Sequence, residues 1–217
     1  MRIAVVADLH GRTAAWERVR ADLDRRSIDR VLCLGDYLDC RVSERRPIVA
    51  KRRAAAEIVD VDPAFWAALA RCDLVRGNQE ERIAALFEPA DIPVGLVPLL
   101  DAPTVWRQWG CVFAHGHQLA WSSHSIPPWQ PAADEITESP LVIVGHSHVP
   151  QILTRSAEKD GWRSIPVVAE SWRVIEPGER LLVNAAPARI APSPWLQLDV
   201  EDGPGGRVRA FVFRHAL

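Results

Sequence analysis

The sequence predicts an α/β fold, in which a parallel strand–helix–strand unit is followed by a second half made mainly of short strands. Residues 3–7 form a short β-branched run, residues 13–26 carry a helical apolar stripe, and residues 31–34 form a second buried run. A strand, a helix and a strand in this order are typical of a βαβ unit with parallel strands. From residue 94 onward, short apolar runs separated by Pro, Gly and polar turns predict further strands.

Local patterns define the individual elements. In the first helix, Trp16, Val19 and Leu23 recur on one stripe. Pro63 suits the first turn of a later short helix. Helices are therefore predicted at residues 13–26, 40–60, 63–70 and 79–87, and strands at residues 3–7, 31–34, 74–76, 94–99, 103–106, 110–115, 141–144, 150–154, 165–168, 180–184, 195–200 and 207–213. Residues 118–140 are predicted to be an irregular connection.

The composition is that of an ordinary globular protein, with 217 residues of which 48% are hydrophobic and 25% are charged. No linker or repeat interrupts the pattern, so we expect a single domain over residues 1–217. A net charge of -2 gives no global attraction for nucleic acid or for an anionic membrane. The N-terminal apolar stretch is too short for a signal peptide, and no run approaches the roughly 20 apolar residues of a membrane span. The four cysteines form no C-x-x-C pair, so the sequence does not support a zinc finger or a thioredoxin-like motif. Because free thiols suit a reducing compartment, we expect a cytoplasmic protein.

Side chains with oxygen or nitrogen donor atoms follow five of the predicted strands. The chain has seven histidines, and five of them fall in these strand-end loops. Because ligand sites in open α/β sheets lie off the carboxyl ends of the strands, we expect these side chains to converge. In chain order they are Asp8, His10, Asp36, Asn78, His115, His117, His146 and His148.

Carboxylate, amide oxygen and imidazole together form a mixed oxygen and nitrogen site, which favours Mn, Fe, Zn or similar ions. The donors are too many for one tetrahedral ion and suit two ions that share a bridging carboxylate. Two ions about 3.5–4 Å apart clamp the attacking and leaving oxygens of an in-line displacement, and they make hydroxide available near neutral pH.

The motifs Asp8-x-His10, Gly35-Asp36-x-x-Asp39, Gly77-Asn78-x-Glu80, His115-Gly116-His117 and Gly145-His146-x-His148 occur in this order. The combined pattern resembles the calcineurin-like metallophosphoesterases, and it is most similar to their small bacterial and archaeal phosphodiesterase-like branch. The resemblance implies a four-layer αββα sandwich with two mixed β-sheets. It also implies two divalent ions, with Mn as the first candidate and Fe, Zn, Ni or Co as alternatives. One ion would take Asp8, His10 and His148, the other Asn78, His115 and His146, and Asp36 would bridge them.

Two positions depart from the family pattern. Gln79 stands where the family usually has a histidine that stabilises the transition state or protonates the leaving oxygen. A glutamine amide donates a hydrogen bond but gives up no proton near pH 7, so leaving groups of high pKa should be poor substrates. The late loop reads Asn184-Ala185-Ala186-Pro187 instead of the family's Asn-Pro-Gly-Ser, and we assign it no role.

Other side chains near the motifs have two interpretations each. His117 is a third ligand, a partner that orients a ligand or a contact for substrate phosphate, and we include it with Asp36 and Asn78 among the catalytic candidates. Asp39 and Glu80 either orient imidazoles or are solvated carboxylates. His124 lies in the irregular connection, where a surface position is favoured over a general-acid role.

The remaining candidates concern the substrate. A basic run at residues 41–53 suits a nucleotide or nucleic acid, but a solvated helix face is the favoured interpretation. Several tryptophans could stack on a nucleobase, or equally well pack in the core; these are Trp106, Trp109, Trp121 and Trp129.

We therefore predict a phosphodiesterase that uses two metal ions and in-line attack by metal-bound hydroxide on a phosphate ester. The alternatives are a phosphomonoesterase, including a protein Ser/Thr phosphatase, and a nucleotide hydrolase or nuclease. A non-catalytic scaffold is the least favoured, because all seven predicted ligand positions carry donors.

Overall fold

A computed structural model describes residues 1–43, 54–121, 130–131, 139–155, 161–203 and 205–217. The strands are β1 (Arg2–Val6), β2 (Arg30–Leu34), β3 (Asp73–Val75), β4 (Val105–Gln108), β5 (Cys111–Ala114), β6 (Leu141–Val144), β7 (Gln151–Arg155), β8 (Arg163–Ile165), β9 (Arg173–Val174), β10 (Arg180–Asn184), β11 (Ser193–Val200) and β12 (Val208–Ala216). The α-helices are α1 (Thr13–Arg25), α2 (Ala55–Ile58), α3 (Pro63–Leu69), α4 (Asn78–Leu86) and α5 (Val97–Leu100), and two short 3₁₀ turns span Pro89–Asp91 and Val94–Leu96.

Two mixed sheets of six strands form the protein, which confirms the predicted α/β class. The strand order is β3-β2-β1-β11-β12-β9 in the first sheet and β4-β5-β6-β10-β7-β8 in the second. Each sheet contains one group of three parallel strands, which is β1, β2 and β3 in the first and β5, β6 and β10 in the second. The remaining pairs are antiparallel.

One core lies between the two sheets. Strand β1 shows the alternation that builds it: Ile3 and Val5 join a buried cluster with Phe113 and Ile143 of the second sheet. The intervening residues of β1 face the opposite way, into a second cluster with the helices. Side chains alternate between the two faces of a strand, so β1 is covered on both sides.

Helix α1 packs its apolar stripe against the outer face of the first sheet. Trp16, Val19 and Leu23 are buried, as the sequence predicts. Asp22 is also buried, and it accepts a hydrogen bond from Trp195 Nε1 of β11 at 3.0 Å. This contact fixes α1 on the sheet, and α1 in turn supports the loop that connects it to β1.

Two predicted elements are wrong. Residues 94–99 form a 3₁₀ turn and the start of α5 instead of a strand. Pro93 and Pro98 explain the error, because proline cannot donate to a strand ladder and suits the first turn of a helix. The long helix predicted for residues 40–60 is also wrong at its ends: Cys40 pairs with Val59 in an isolated bridge, and of the described residues 40–43 and 54–60 only α2 is helical. Residues 44–53 of that prediction lie outside the described residues.

Strand β9 was not predicted, because two residues carry too little pattern to identify a strand. In the described part of the chain, no helix is both long enough and apolar enough to cross a membrane. The single domain over residues 1–217 stays a prediction.

Candidate metal centre

The predicted donor side chains follow the parallel strands of both sheets. Strands β1, β2 and β3 lead to the first four donors, and β5 and β6 lead to the others. Their carboxyl ends meet at one edge of the two sheets. Two groups of three result, and within each group one ligand atom per residue lies within 4.8 Å of the others: Asp8, His10 and His148 form the first group, and Asp36, His115 and His146 form the second.

In the first group, Nε2 of His148 lies 3.2 Å from Nε2 of His10 and 3.3 Å from Oδ1 of Asp8. Two imidazole nitrogens on one tetrahedral ion at the usual bond length are about 3.3 Å apart. The spacing of this group therefore fits a single ion.

The second group is built in the same way. Nε2 of His115 lies 3.3 Å from Oδ2 of Asp36 and 3.1 Å from Oδ1 of Asn78. The two groups adjoin each other, because Oδ2 of Asp36 is also 3.8 Å from Nε2 of His10. One carboxylate oxygen of Asp36 thus faces an imidazole from each group.

Backbone strain is concentrated in these loops. Five candidate ligands have a positive φ, between 47° and 68°, and they are Asp8, His10, Asp36, His146 and His148. Residues other than glycine rarely adopt this region, and doing so costs free energy that the surrounding fold must supply. Such strain clusters at functional sites, which makes these loops a candidate site on conformational grounds alone.

Two imidazoles have their second nitrogen held by an acceptor. Nδ1 of His115 donates to the carbonyl of Leu34 at 2.7 Å, and Nδ1 of His10 donates to Oδ1 of Asp39 at 3.3 Å. In the neutral imidazoles both bonds leave the lone pair on Nε2, which is the tautomer that an imidazole ligand requires. Asp39 thus lies where the sequence predicts a carboxylate that orients an imidazole.

Glu80 has a different role from the predicted one. Its carboxylate contacts no imidazole among the described residues and instead accepts backbone N–H bonds from Asp36, Leu38 and Gly77, at 2.8, 2.8 and 2.9 Å. Both interpretations of Glu80, as an imidazole partner and as a solvated carboxylate, are wrong, because the side chain lies behind the loops and holds their backbones. Glu80 is completely buried.

Helix α4 carries Asn78 at its first position, with Gly77 at the N-cap, so Asn78 does not cap the helix. Gln79 fastens the helix to the neighbouring loop, since its backbone N–H donates to Oδ1 of Asp36 at 2.9 Å. The side-chain oxygen of Gln79 accepts from the N–H of Cys40 at 3.1 Å. Gln79, which stands where the family usually has a histidine, therefore holds the neighbouring loop in place.

His117 lies beside the second group. Its ring centroid is 5.5 Å from that of His115 and 6.2 Å from that of His146. Nε2 of His117 contacts Oε2 of Glu81 at 3.1 Å, whereas its buried Nδ1 has no hydrogen-bond partner among the described residues. Glu81 orients this ring, and Nδ1 remains available to a ligand.

The predicted site does not include Asn184, and the structure places this residue directly under the last loop. Its buried Nδ2 donates to the carbonyl of Gly145 at 2.8 Å and to Oγ of Ser147 at 2.7 Å. These bonds hold the segment that carries His146 and His148. The sequence signal for this residue is the asparagine of the family's late motif, and the different residues that follow it weaken that signal.

The electrostatics of the second group follow from its burial and its close charges. Burial raises the pKa of Asp36, but the hydrogen bond and charge of His115 outweigh it and hold this pKa below its usual value. Burial lowers the pKa of His115, yet Asp36 outweighs burial and raises this pKa to about 9. His146 has no such partner, so burial, followed by the charge of His115, lowers its pKa to about 4. Asp36 is thus an anion that attracts cations, and His146 offers a free lone pair near pH 7.

The donor set fits divalent ions of the first transition series. It combines carboxylate, amide oxygen and imidazole, and none of the donors is a thiolate. Two adjacent groups, with one carboxylate oxygen between them, fit a pair of ions better than one.

Other predicted candidates lie elsewhere. Trp106 and Trp109 pack on Phe113, and Arg30 lies over both indole rings, so their surfaces are already covered. Trp121 is closer to the centre, since its Nε1 donates to the carbonyl of Gly116 at 2.8 Å. His124, Trp129 and most of the basic run at residues 41–53 lie outside the described residues.

Comparison with known proteins gives a consistent picture. Residues 1–189 match the sequence profile of the calcineurin-like phosphoesterase superfamily domain. The fold is similar to that of a metallophosphoesterase from Sphaerobacter thermophilus, with a TM-score of 0.59 and 15% identity over 100% of this chain and 89% of that chain. This likeness shows that the chain has the metallophosphoesterase fold.

Two further solved structures are more distant. Yfce, a phosphoesterase from E. coli, is 19% identical with a TM-score of 0.48 over 92% of this chain and 88% of that chain. A novel archaeal phosphodiesterase is 12% identical with a TM-score of 0.45 over 97% and 99%. No curated protein sequence matches the chain.

Proposed function

The chain belongs to the calcineurin-like phosphoesterase superfamily, and on this premise we propose that it hydrolyses a phosphodiester with two metal ions. Membership of this family makes the protein a hydrolase of phosphate esters. The observation that carries the two-metal proposal is the pair of adjoining donor groups, each with one carboxylate and two imidazoles. Asp36 supports it further, because one of its oxygens faces an imidazole of each group.

The proposed ligands divide between the two groups. Asp8, His10 and His148 hold one ion, Asn78, His115 and His146 hold the other, and Asp36 bridges them. Mn is the first candidate, with Fe, Zn, Ni or Co as alternatives. When bound, two divalent ions supply a nucleophile at neutral pH and stabilise the charge that develops on the phosphoryl oxygens.

The protein's own side chains position these groups. Asp39 and the carbonyl of Leu34 keep the imidazoles of His10 and His115 in the tautomer that leaves Nε2 free. His117 donates from Nε2 to Glu81, which leaves a lone pair on its unpartnered Nδ1, and this nitrogen accepts a hydrogen bond from a hydroxyl of the substrate.

A diester is favoured over a monoester because Gln79 replaces the residue that would protonate a poor leaving group. The amide oxygen of Gln79 accepts a hydrogen bond from the N–H of Cys40, so this contact holds the side chain against the neighbouring loop and does not orient it towards a substrate. The alternatives remain a phosphomonoesterase and a nucleotide hydrolase. Arg41 of the basic run pairs with Asp60, which gives the nucleotide alternative no specific support.

An activity panel tests the proposal. The purified protein is stripped with a chelator, reloaded with Mn, and assayed on bis(p-nitrophenyl) phosphate and p-nitrophenyl phosphate. We expect hydrolysis that depends on the metal and is faster for the diester. Metal-dependent hydrolysis of the monoester alone would contradict the substrate class, and the absence of any metal-dependent hydrolysis would contradict the proposed function.

A further inference from the structure

Arg189 lies next to the first donor group. The loop that follows β10 runs along the end of β1, where Pro187 bridges Ala7 and the N–H of Ala188 donates to the carbonyl of Ala7 at 2.9 Å. The N–H of Arg189 donates to the carbonyl of Asp8 at 3.3 Å. The backbone of Arg189 is therefore fixed beside a proposed metal ligand.

The side chain of Arg189 turns towards the centre. It is half-buried, and Nη2 lies 3.1 Å from Nδ1 of His148. Among the residues that the structure describes, no carboxylate lies within ion-pair distance of this guanidinium. A half-buried cation without a counter-ion is unusual, because burial of a charge costs free energy unless the charge is paired.

The contact with His148 differs in chemistry from those of the other oriented imidazoles. Nδ1 of His10 and Nδ1 of His115 each face an acceptor, whereas Nδ1 of His148 faces a guanidinium. A guanidinium only donates, so Nδ1 of His148 must accept and its proton must be on Nε2. Nε2 is the nitrogen that faces Asp8 and His10.

This tautomer excludes ligation through Nε2. A neutral imidazole that binds an ion through Nε2 carries its proton on Nδ1, and two donors cannot bond to each other. The Arg189–His148 bond and ligation by His148 therefore exclude each other. Once His148 serves as a ligand, the guanidinium of Arg189 needs another acceptor at the edge of the same centre.

The charge balance identifies that acceptor as an anion. Two divalent ions outweigh the carboxylates of Asp8 and Asp36, so a neighbouring guanidinium is repelled unless a negative group lies between them. The planar fork of arginine matches two oxygens of a phosphate group. We propose that Arg189 binds a non-bridging oxygen of the substrate's phosphate, an inference that rests on the proposed function.

Equilibrium binding of inorganic phosphate to the Mn-loaded protein tests this role without relying on turnover. Wild type, Arg189→Ala and Arg189→Lys are compared by titration calorimetry. Arg107→Ala is the matched control, because Arg107 is an exposed arginine of β4. A charge-assisted hydrogen bond corresponds to a change of about 10- to 100-fold, so we expect Arg189→Ala to raise the Kd for phosphate by that factor. Arg189→Lys should lie between wild type and Arg189→Ala, since lysine keeps the charge and loses the fork.

Metal affinity provides the second measurement. Because the Arg189–His148 bond competes with ligation, Arg189→Ala should bind Mn at least as tightly as wild type. Unchanged phosphate affinity in Arg189→Ala, or a loss of bound Mn, would overturn the inference. If either result is found while the wild type hydrolyses the diester, the role of Arg189 is refuted and the proposed function stands. If the wild type shows neither metal-dependent hydrolysis nor metal binding, the proposed function and the role of Arg189 are both refuted.

Discussion

The carboxylate of Glu80 lies behind the Asp36 loop and accepts the backbone N–H of Asp36 at 2.8 Å. The same carboxylate accepts the N–H groups of Leu38 and Gly77, so one buried side chain fixes the loops after both β2 and β3. The two loops carry Asp36 and Asn78. Glu80 therefore determines the spacing between a proposed bridging ligand and a proposed terminal ligand.

Glu80→Gln should destabilise the protein. The new amide places an NH₂ group against one of the three N–H donors, which leaves a buried donor unsatisfied at a cost of about 1–3 kcal/mol. Glu81→Gln is the matched control, since Glu81 is the next residue on α4 and is partly exposed. Its carboxylate contacts the side chains of His117 and Arg76 and does not hold the loop backbones. Urea unfolding of both chelator-treated variants measures the difference. Equal free energies of unfolding for the two variants would contradict the role of Glu80.

Asp36→Ala should remove turnover while the fold survives. Loss of a shared ligand should reduce the rate by more than the 10–100-fold typical of residues that only orient a ligand, so we expect a decrease of at least about 100-fold. Alanine also strains the backbone, because Asp36 has a φ of 48°. Asp36→Asn separates the two effects, as asparagine tolerates this region and keeps the shape of the side chain.

Turnover of bis(p-nitrophenyl) phosphate, bound Mn and circular dichroism are measured for both Asp36 variants. The exposed Asp24 of α1 provides the control substitution Asp24→Ala, which should leave all three unchanged. Full activity in Asp36→Asn with normal metal content would contradict the bridging role.

The strand-end loops could be predicted from sequence because each donor directly follows a short apolar run. Asp8 follows β1, Asp36 follows β2 and His115 follows β5, and parallel strands bring their carboxyl ends to one edge. The strained φ angles of Asp8 and Asp36 could not be predicted, since nothing in the local sequence requires them.

The contacts that support the donor loops are harder to predict from the sequence than the donors themselves. Asn184 is separated from Ser147 by 37 residues and Arg189 from His148 by 41. Such pairs depend on how β10 lies between β6 and β7, which local patterns do not reveal. The sequence leaves two interpretations open for Glu80, an imidazole partner or a solvated carboxylate, because spacing alone does not show which side of the loop a carboxylate occupies.

The missing general acid predicts a steep dependence on the leaving group. The rate on aryl phosphodiesters should exceed that on alkyl phosphomonoesters, since protonation of a leaving group contributes about 10²–10⁴-fold in typical enzymes. A series of aryl esters with graded leaving-group pKa measures the slope. Gln79→His should flatten that slope, because it restores a proton donor at this position. Equal rates on alkyl monoesters and aryl diesters in the wild type would refute the prediction.

The close approach of two loops depends on Gly35. It has a φ of +76°, and a Cβ at this position would lie 2.6 Å from the backbone of Gly77 and 2.8 Å from the ring of His115. Gly178 is a matched control, since it has a φ of +81° and a Cβ there would meet nothing within 4 Å. Both glycines thus share the left-handed backbone, and only Gly35 has neighbours in contact.

Gly178→Ala should therefore cost only the conformational strain, about 1–2 kcal/mol. Gly35→Ala should cost about 1–3 kcal/mol more, because the added methyl pushes the Asp36 loop away from the Gly77 backbone and the His115 ring. Urea unfolding in chelator measures both variants, and the bound Mn should fall in Gly35→Ala alone. If the two variants lost the same stability and kept the same metal, then the glycine would be present only for its φ, and the packing of the two loops would not depend on it.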